Sequence, residues 1–141
     1  MKKKTLLIIL AAVALAAVIT LVLGLSFSGA DVPDDPNEAV SALQAAEYLD
    51  VRLESGTRVS AMIGVGGLNF KVSGFKISDK VEFVEIYYFS SDDYADEAWL
   101  TLQKLAHEDP ESSREDFVCE KSGSVIWFGT EAAVSATRGE N

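Results

Sequence analysis

The sequence predicts an α+β protein: an N-terminal transmembrane helix, then one small domain whose antiparallel sheet carries helices packed mainly on one face. Three observations support this prediction. A long uncharged apolar run follows the first lysines, segments of helical period alternate with segments of period two, and few connections are long enough to join parallel strands. The expected order of elements is helix, strands, helix, hairpin, helix.

The apolar run extends from Leu6 to Leu25, and only Thr20 and Gly24 interrupt it. As a helix it would reach about 30 Å, the hydrocarbon thickness of a bilayer. A cleavable signal peptide usually has an apolar core of only about 7–15 residues, so the length favours a retained signal-anchor. Ser28-Gly29-Ala30 has the small-residue spacing of a signal-peptidase site, and secretion after cleavage following Ala30 is the alternative.

Charge predicts the orientation of this helix. Lys2, Lys3 and Lys4 precede it, whereas "DVPDDPNE" after it carries only acids. The positive-inside rule therefore places the N-terminus in the cytoplasm and the chain from Asp31 onward outside the cell membrane. We assign 1–25 to the lysine cluster and single-pass transmembrane helix, 26–36 to a linker, and 37–141 to the extracytoplasmic domain.

The part of the chain from Asp31 onward is strongly acidic, with nine Lys and Arg against 22 Asp and Glu, a formal charge of −13. Such a charge repels phosphate backbones, so no nucleic acid is expected as a partner. The expected partners are the lipid bilayer, through the N-terminal helix, and an envelope protein.

The first elements of the domain follow from turn and capping signals. In Asp35-Pro36-Asn37-Glu38 an acid that can cap precedes a proline suited to the first helical position, which predicts a helix from Pro36 to about Asp50. Alternation in "VRLESGTRVSAMIG" around Ser55-Gly56 predicts a hairpin. A loop or irregular strand is expected through Phe70 to Ile77.

"KVEFVEIYYFS" is the strongest predicted strand, with Val84, Ile86 and Tyr88 on one face and mostly apolar residues on the other, as in a central strand. Ser91 or Ser90 then caps a second helix, which Pro110 bounds. "DFVCEK" and "SVIWFGT" around Ser122-Gly123 predict a second hairpin. Thr130 is predicted to cap a short last helix that ends near Gly139.

The chain from Asn37 to Gly139, together with the N-terminal anchor, resembles a family of uncharacterised, membrane-anchored small α+β proteins of Gram-positive bacteria. The resemblance rests on "VEFVEIYYF" before an acidic-start helix and on "FVCEKSGSVIWFGTEAAVSA". In that family an aromatic-Gly-Thr strand end leads into a short Ala-rich helix, as Phe128-Gly129-Thr130 does here. The resemblance implies the architecture and an exported location; no activity or site residue comes with it.

The sequence assigns no catalytic, cofactor-binding or metal-binding residue. Nucleophilic triads need a histidine base, and the single His107 is expected at a helix end, where a cation suits the carbonyl groups. One His and one Cys are too few for a zinc site. Cys119 is expected to be buried and inert. "GVGG" at 64–67 lacks the third glycine of a dinucleotide site, so no nucleotide is expected.

Two features leave alternatives open. Asp92, Asp93, Asp96 and Glu97 form the densest acidic cluster, and the sequence does not decide whether they bind a cation or are solvated acids at a helix start. The aromatic side chains favour core packing, with presentation to a partner as the alternative; they are Tyr87, Tyr88, Phe89, Trp99, Trp127 and Phe128. The predicted function is a non-catalytic binding or interaction module. The alternatives are a secreted soluble domain and an envelope hydrolase that uses carboxylates.

Overall fold

The computed structural model describes residues 32–140. The predicted transmembrane helix, the lysine cluster and the candidate cleavage site at Ala30 lie outside these residues. Within 32–140, the search for a helix of sufficient length and apolarity to cross a bilayer finds none.

The described residues form four helices, five strands and one short 3₁₀ turn, Pro110–Ser113. In chain order these are α1 Pro36–Ala45, β1 Leu49–Ser55, α2 Gly56–Ile63, β2 Leu68–Ile77, β3 Val81–Phe89, α3 Asp92–His107, β4 Phe117–Ser122, β5 Val125–Thr130 and α4 Glu131–Ala136.

The five strands form one sheet in the order β1-β2-β3-β5-β4, and every neighbouring pair is antiparallel. This confirms the predicted α+β class and antiparallel sheet. β3 lies at the centre, as its apolar residues on both faces predicted, and all six residues of β5 beside it are buried. The β4–β5 hairpin turns at Ser122–Val125, as predicted.

The prediction that the helices pack mainly on one face is wrong. Val84, Ile86 and Trp127 of the sheet pack with α1 and α4 in one core cluster. Tyr87, Phe89 and other residues of the opposite face pack with α2 and α3 in a second cluster. A sheet that is apolar on both faces needs a helical layer on each side, and the fold provides two.

The predicted hairpin around Ser55-Gly56 is also wrong, because residues 56–63 form α2. Val59 and Ile63 satisfy a helical spacing of four as well as strand alternation, so the short apolar pattern was ambiguous. At the first residue of α2 only glycine fits, since a Cβ on Gly56 would lie 1.8 Å from the Leu68 carbonyl oxygen. The chain from Phe70 to Ile77, expected to be irregular, belongs to the ten-residue strand β2.

Helix α1 ends at Ala45 and not near Asp50, because a Schellman motif closes it. The Tyr48 N–H donates to the Leu43 carbonyl and the Glu47 N–H to the Gln44 carbonyl, both at 3.0 Å. Glu47 takes the left-handed position of the motif, with φ of 64°. That position normally belongs to glycine, so Glu47 holds a strained backbone.

We expect Glu47→Gly to stabilise the protein by about 1 kcal/mol, because glycine adopts the left-handed conformation without a Cβ clash. Chemical denaturation of both variants measures the difference. Glu38→Gly, an exposed helical position in α1, is the matched control and should lose about 1 kcal/mol. A loss at Glu47 as well would contradict the strain argument.

Two residues of the predicted linker pack against the domain. Val32 is 1% exposed and belongs to the core cluster beneath α1 and α4. The Tyr88 hydroxyl donates to the Pro33 carbonyl at 2.8 Å. The packed part of the described chain therefore includes its first residue, Val32.

Helix α3 begins as predicted, because the Ser91 hydroxyl accepts from the Tyr94 N–H at 3.3 Å. Thr130 stands at the start of α4, but its hydroxyl does not cap that helix. Instead, Thr130 Oγ1 accepts from the Phe83 N–H at 3.2 Å, and this hydrogen bond joins the end of β5 to the first residues of β3.

Candidate functional site

Two buried side-chain polar atoms among residues 32–140 lack a hydrogen-bond partner: Glu82 Oε2 and Trp127 Nε1. Buried polar atoms are nearly always paired, because an unpaired one loses its contact with water and gains nothing in exchange. Each of these two side chains lines a cavity beside α4. The Glu82 cavity is the candidate functional site, since an ionised carboxylate is more costly to leave unpaired than a neutral indole.

Glu82 lies at the start of β3, next to the β2–β3 turn, where it faces Lys76 across the strand pair. Glu82 lies on the same face of β3 as Val84, Ile86 and Tyr88, because successive residues of a strand point to opposite faces. It therefore points to the face that α1 and α4 cover. The residue is only 8% exposed. The strand therefore holds a carboxylate at the margin of an apolar layer.

The Glu82 cleft is a cavity of about 480 Å³ between α4, the end of α1 and the β2–β3 turn. Its polar lining consists of Glu82, Tyr48, Lys76, Ser78, Ser135 and Glu140, and alanines at positions 46, 132 and 136 supply the small apolar wall. The short alanine side chains leave space in the cleft, although Glu82 Oε2 itself has less than 1 Å² of accessible surface.

Arg114 is the cation nearest to Glu82, but several other oxygens share it. Its guanidinium makes two hydrogen bonds to Asp116, at 2.9 and 2.8 Å, and one to Glu111 at 3.2 Å, and it also donates to the Val81 carbonyl. Glu82 Oε1 is 3.5 Å from Arg114 Nη2. Glu82 is therefore only partly neutralised, and its second oxygen receives nothing.

The charges in this network affect each other. Hydrogen bonds from the Arg114 guanidinium hold the pKa of Asp116 below its usual range, and Lys80 Nζ, 3.1 Å from Asp116 Oδ2, acts in the same direction. The Asp116 carboxylate therefore pairs strongly with Arg114, and fewer N–H groups of the guanidinium are left to interact with Glu82.

Tyr48 and Lys76 form the other wall of the Glu82 cleft. Burial raises the pKa of the Tyr48 hydroxyl, and the negative charge of Glu82 raises it further. The Lys76 ammonium donates to the Ala46 carbonyl at 2.9 Å and lies 5.7 Å from the centroid of the Tyr48 ring. The lysine is thus engaged with the end of α1 and does not neutralise Glu82 Oε2.

The cleft combines one unpaired carboxylate oxygen with hydroxyl groups and a second carboxylate, Glu140, at its mouth. An ionised carboxylate only accepts hydrogen bonds, so the cleft suits a ligand that donates from N–H or O–H. Its lining holds two acids and one lysine, and each acid also contacts an arginine next to the cleft, Arg114 for Glu82 and Arg138 for Glu140. The chain matches no protein-family model, no curated protein and no solved structure.

His107 and Cys119 lie away from the Glu82 cleft. His107 is exposed at the last position of α3, as expected, with Nδ1 2.7 Å from the Gln103 carbonyl oxygen. Cys119 is half-buried in β4, and burial together with Glu120 raises its pKa to about 11. This thiol is therefore protonated at neutral pH and poorly nucleophilic.

The acidic cluster occupies the first turns of α3, on the opposite side of the sheet from the cleft. Its Asp96 pairs with Lys121, with Nζ 2.6 Å from Oδ1. Within 32–140 no three or more His, Cys, Asp or Glu side chains converge as a metal-binding group. In the glycine segment, Gly64 ends α2 in a left-handed conformation, and Gly67 lies against the Tyr94 ring.

The aromatic side chains serve the core. Five of the six are buried, among them Trp127 and Tyr87 at 1% exposure, and Trp99 packs half-buried against the cluster beneath α3. Burial raises the pKa of Tyr87, whose hydroxyl donates to Glu85 at 3.2 Å. This confirms core packing over presentation of the aromatic residues to a partner.

Sequence reasoning missed Glu82, although one signal for it was present. In "KVEFVEIYYFS" the residues at 84, 86 and 88 form the apolar register, and Glu82 falls in the same register. A carboxylate that continues the buried face of a strand needs a partner or a function. Its partner Arg114 is far away in the sequence, so the pairing was not visible there.

Proposed function

We propose that this protein is an exported, single-pass binding module that holds a cationic group of an envelope partner in the Glu82 cleft, without catalysis. The observation that carries the proposal is the buried, unpaired Oε2 of Glu82, a residue that lines the cleft. A ligand ammonium or guanidinium would complete the hydrogen bonding of this carboxylate, in a charge-assisted bond stronger than a neutral one.

The charge of the domain supports the same class of ligand. Its formal charge of −13 attracts basic polypeptides over several ångströms and speeds their encounter with the surface. The buried carboxylate then gives selectivity at short range, because a neutral side chain would leave it unpaired. A basic segment of a protein, with one Lys or Arg in the cleft, is the ligand that we propose.

The location is part of the proposal and rests on the apolar run from Leu6 to Leu25. We expect the intact protein mass, measured from the membrane fraction of an expressing bacterium, to equal that of the full-length chain. A species that begins at Asp31 in the medium would instead make the run a signal peptide and the domain a secreted factor. The full-length mass in the cytoplasmic fraction alone would contradict export.

We expect Glu82→Gln to weaken binding of a cationic peptide by at least tenfold, because glutamine keeps the shape but removes the charge-assisted hydrogen bond. The measurement is calorimetric titration of the full-length protein in detergent micelles with an N-acetyl-arginine-amide probe and with an acetylated Gly-Arg-Gly peptide. An N-acetyl-leucine-amide probe tests whether the charge is needed.

The matched control is Glu97→Gln, which removes the same charge from an exposed position of α3 on the other face of the sheet. It should leave the affinity within about twofold, because exposed charges contribute little at physiological salt. Equal losses in both variants would mean that only the overall charge matters. Absence of binding of either cationic probe to the unaltered protein would also overturn the proposal.

A second candidate function, a hydrolase that uses carboxylates, is favoured by one observation: Glu82 and Glu140 line the same cleft. Glycoside cleavage needs two carboxyl groups on either side of the bond. Glu140 is exposed and its carboxylate lies 2.8 Å from Arg138, so it is held at the mouth of the cleft. Release of chromophore from aryl glycosides, lost in both Glu82→Gln and Glu140→Gln, would favour this function over binding alone.

A further inference from the structure

Strand β1, at one edge of the sheet, is the more exposed of the two edge strands of the described chain. Five of its seven residues are exposed, whereas in β4, at the other edge, only Glu120 is exposed. An edge strand directs N–H and C=O groups away from its neighbour, and these groups can pair with a further strand. Within 32–140, β1 is therefore the edge best suited to strand addition.

Apolar side chains gather along the β1 edge. Eight large apolar side chains are exposed within 32–140, and four of them lie on β1, on the adjacent β2 or on α2: Leu49, Leu53, Met62 and Phe70. Leu53 is 41% exposed and lies opposite the buried Val72, while Phe70, at 42%, alternates with Val72 along β2. Leu53 and Phe70 thus extend the apolar face beneath α1 to the outer edge of the sheet.

The charges beside Leu53 favour a second copy of the same strand. Arg52 and Glu54 flank Leu53 and point to the opposite face of the sheet. If two β1 strands pair antiparallel with Leu53 opposite Leu53, Arg52 of each copy lies opposite Glu54 of the other. Opposite charges in such positions stabilise a strand pair, and like charges destabilise it.

A shift of the pairing by one position loses this complementarity. With Arg52 opposite its own copy, two arginines face each other and Asp50 faces Glu54, so every charged pair is repulsive. Arg52 already contacts Asp50 of its own chain at 2.8 Å, but both side chains are more than half exposed. An exposed pair of this kind contributes little, so it competes weakly with a partner strand.

We propose that two copies of this protein associate through β1, antiparallel and with the two-fold axis at Leu53, so that their sheets join into one sheet of ten strands. Leu53 packs against Leu53 of the other copy on one face, and the two Arg52–Glu54 pairs form on the other. The contact uses the same edge of both copies, which closes the assembly as a dimer. It does not involve the Glu82 cleft.

The direction of the two-fold axis agrees with attachment to one membrane. An antiparallel pair related in this way has its axis perpendicular to the sheet, so the faces that α1 and α4 cover lie on the same side in both copies. Val32 belongs to the core cluster of that face. Both chains therefore enter the dimer from one side, as two anchors in one bilayer require. This support rests on the proposed anchor, whereas the pairing of β1 does not.

The length of the regular strand limits the strength of the dimer. The pairing of β1 with β2 is irregular between Leu49 and Arg52, where Asp50 has φ of 49°, and α2 begins at Gly56. About five residues per copy are left for the contact, which is typical of a small, weak interface. Confinement of two anchored copies to one membrane would raise their effective concentration and compensate for this weakness.

Disulfide formation tests the register. We expect Leu53→Cys in the full-length protein, reconstituted in phospholipid vesicles and oxidised with copper-phenanthroline, to form a disulfide-linked dimer. Opposite residues of antiparallel strands have Cα atoms about 4.5–5.5 Å apart, within the range that a disulfide spans. Every protein in this test carries Cys119→Ala, so that the introduced thiol is the only one.

The matched control is Leu100→Cys, at a leucine of α3 that is 77% exposed and therefore more accessible than Leu53. It should form the linked dimer at least tenfold more slowly, because only random collisions bring its thiols together. Equal rates for the two positions would overturn the proposal.

A charge exchange tests the contact without a covalent bond. We expect Arg52→Glu and Glu54→Arg each to raise the dimer dissociation constant about tenfold, because each places like charges opposite one another. The measurement is sedimentation equilibrium of the full-length protein in detergent micelles at low salt, with circular dichroism as the check of folding. The double variant Arg52→Glu/Glu54→Arg restores opposite charges and should return the constant to within about threefold of the original.

The two single variants also distinguish this contact from an effect of total charge. Arg52→Glu makes the protein more acidic and Glu54→Arg less acidic, so total charge alone would change association in opposite directions. That result would overturn the proposal. A dimer that none of the β1 variants weakens would assign association to another part of the chain, and a protein that is monomeric in micelles and unlinked in vesicles would equally contradict the β1 contact.

Discussion

Gly129→Ala is expected to destabilise the domain by about 3–5 kcal/mol, a large fraction of the stability of a typical small domain. Gly129 lies in β5 between Val84 and Val118, with φ of 152°, a conformation that residues with a side chain rarely adopt. A Cβ there would lie 2.1 Å from the Phe83 carbonyl oxygen and 2.8 Å from Val84 Cα. Both atoms belong to the backbone of the central strand, so neither can move aside cheaply.

Two other glycines separate the two contributions to this loss of stability, which are the backbone conformation and the steric overlap of the added Cβ. Gly64 has φ of 74° but open space around a Cβ, so Gly64→Ala should lose only about 1 kcal/mol for the backbone conformation. At Gly66 the nearest atom to a Cβ is on the Tyr94 ring at 3.4 Å, an ordinary contact, so Gly66→Ala should be nearly neutral. Urea denaturation of the three variants measures the series. A Gly129 loss no larger than that of Gly64 would show that the strands adjust.

Arg114→Ala should lower the melting temperature on the order of 10 °C, because it removes the cation shared by Glu82, Glu111 and Asp116. The main loss comes from Glu82, which is buried and left with no counterion. Differential scanning calorimetry of the full-length protein measures the shift. Arg58→Ala, which removes an exposed arginine of α2, is the matched control and should change little.

The double variant Arg114→Ala/Glu82→Leu tests this reason for the loss. Replacing a buried ion pair by an apolar side chain is often neutral or stabilising, whereas removing one partner alone is strongly destabilising. We therefore expect the double variant to regain most of the lost melting temperature. A double variant as unstable as Arg114→Ala would place the importance of Arg114 in its contacts with Asp116 and the Val81 carbonyl instead.

Local signals in the sequence predicted much of this fold. The strand at 81–89, the hairpin around Ser122-Gly123 and the start of α3 at Ser91 all follow from alternation, turn residues and capping. The structure also explains the Phe128-Gly129-Thr130 motif, because Gly129 and Thr130 both contact Phe83 on β3. These elements are specified by residues close to one another in the chain.

The features that the sequence did not predict depend on contacts between distant residues. Helix α2 replaces a predicted strand, and its first residue, Gly56, fits against the backbone at Leu68, a contact that periodicity does not report. Together with α3, this helix forms the helical layer on the face opposite α1 and α4. Arg114 donates to a carbonyl 33 residues away and shields a carboxylate next to it, so neither the network nor the unpaired Glu82 oxygen has a local signature.

The burial of Val32 limits how far the domain can lie from the membrane if the anchor is retained. With the anchor retained, only residues 26–31 separate the end of the apolar run from a side chain fixed in the core. Even fully extended, the chain from Leu25 to Val32 spans at most roughly 25 Å, less than the diameter of the domain itself. Val32 packs on the same side of the sheet as the Glu82 cleft. The protein would then sample a thin layer along the bilayer by lateral diffusion, and partners that share its membrane would meet it at high effective concentration.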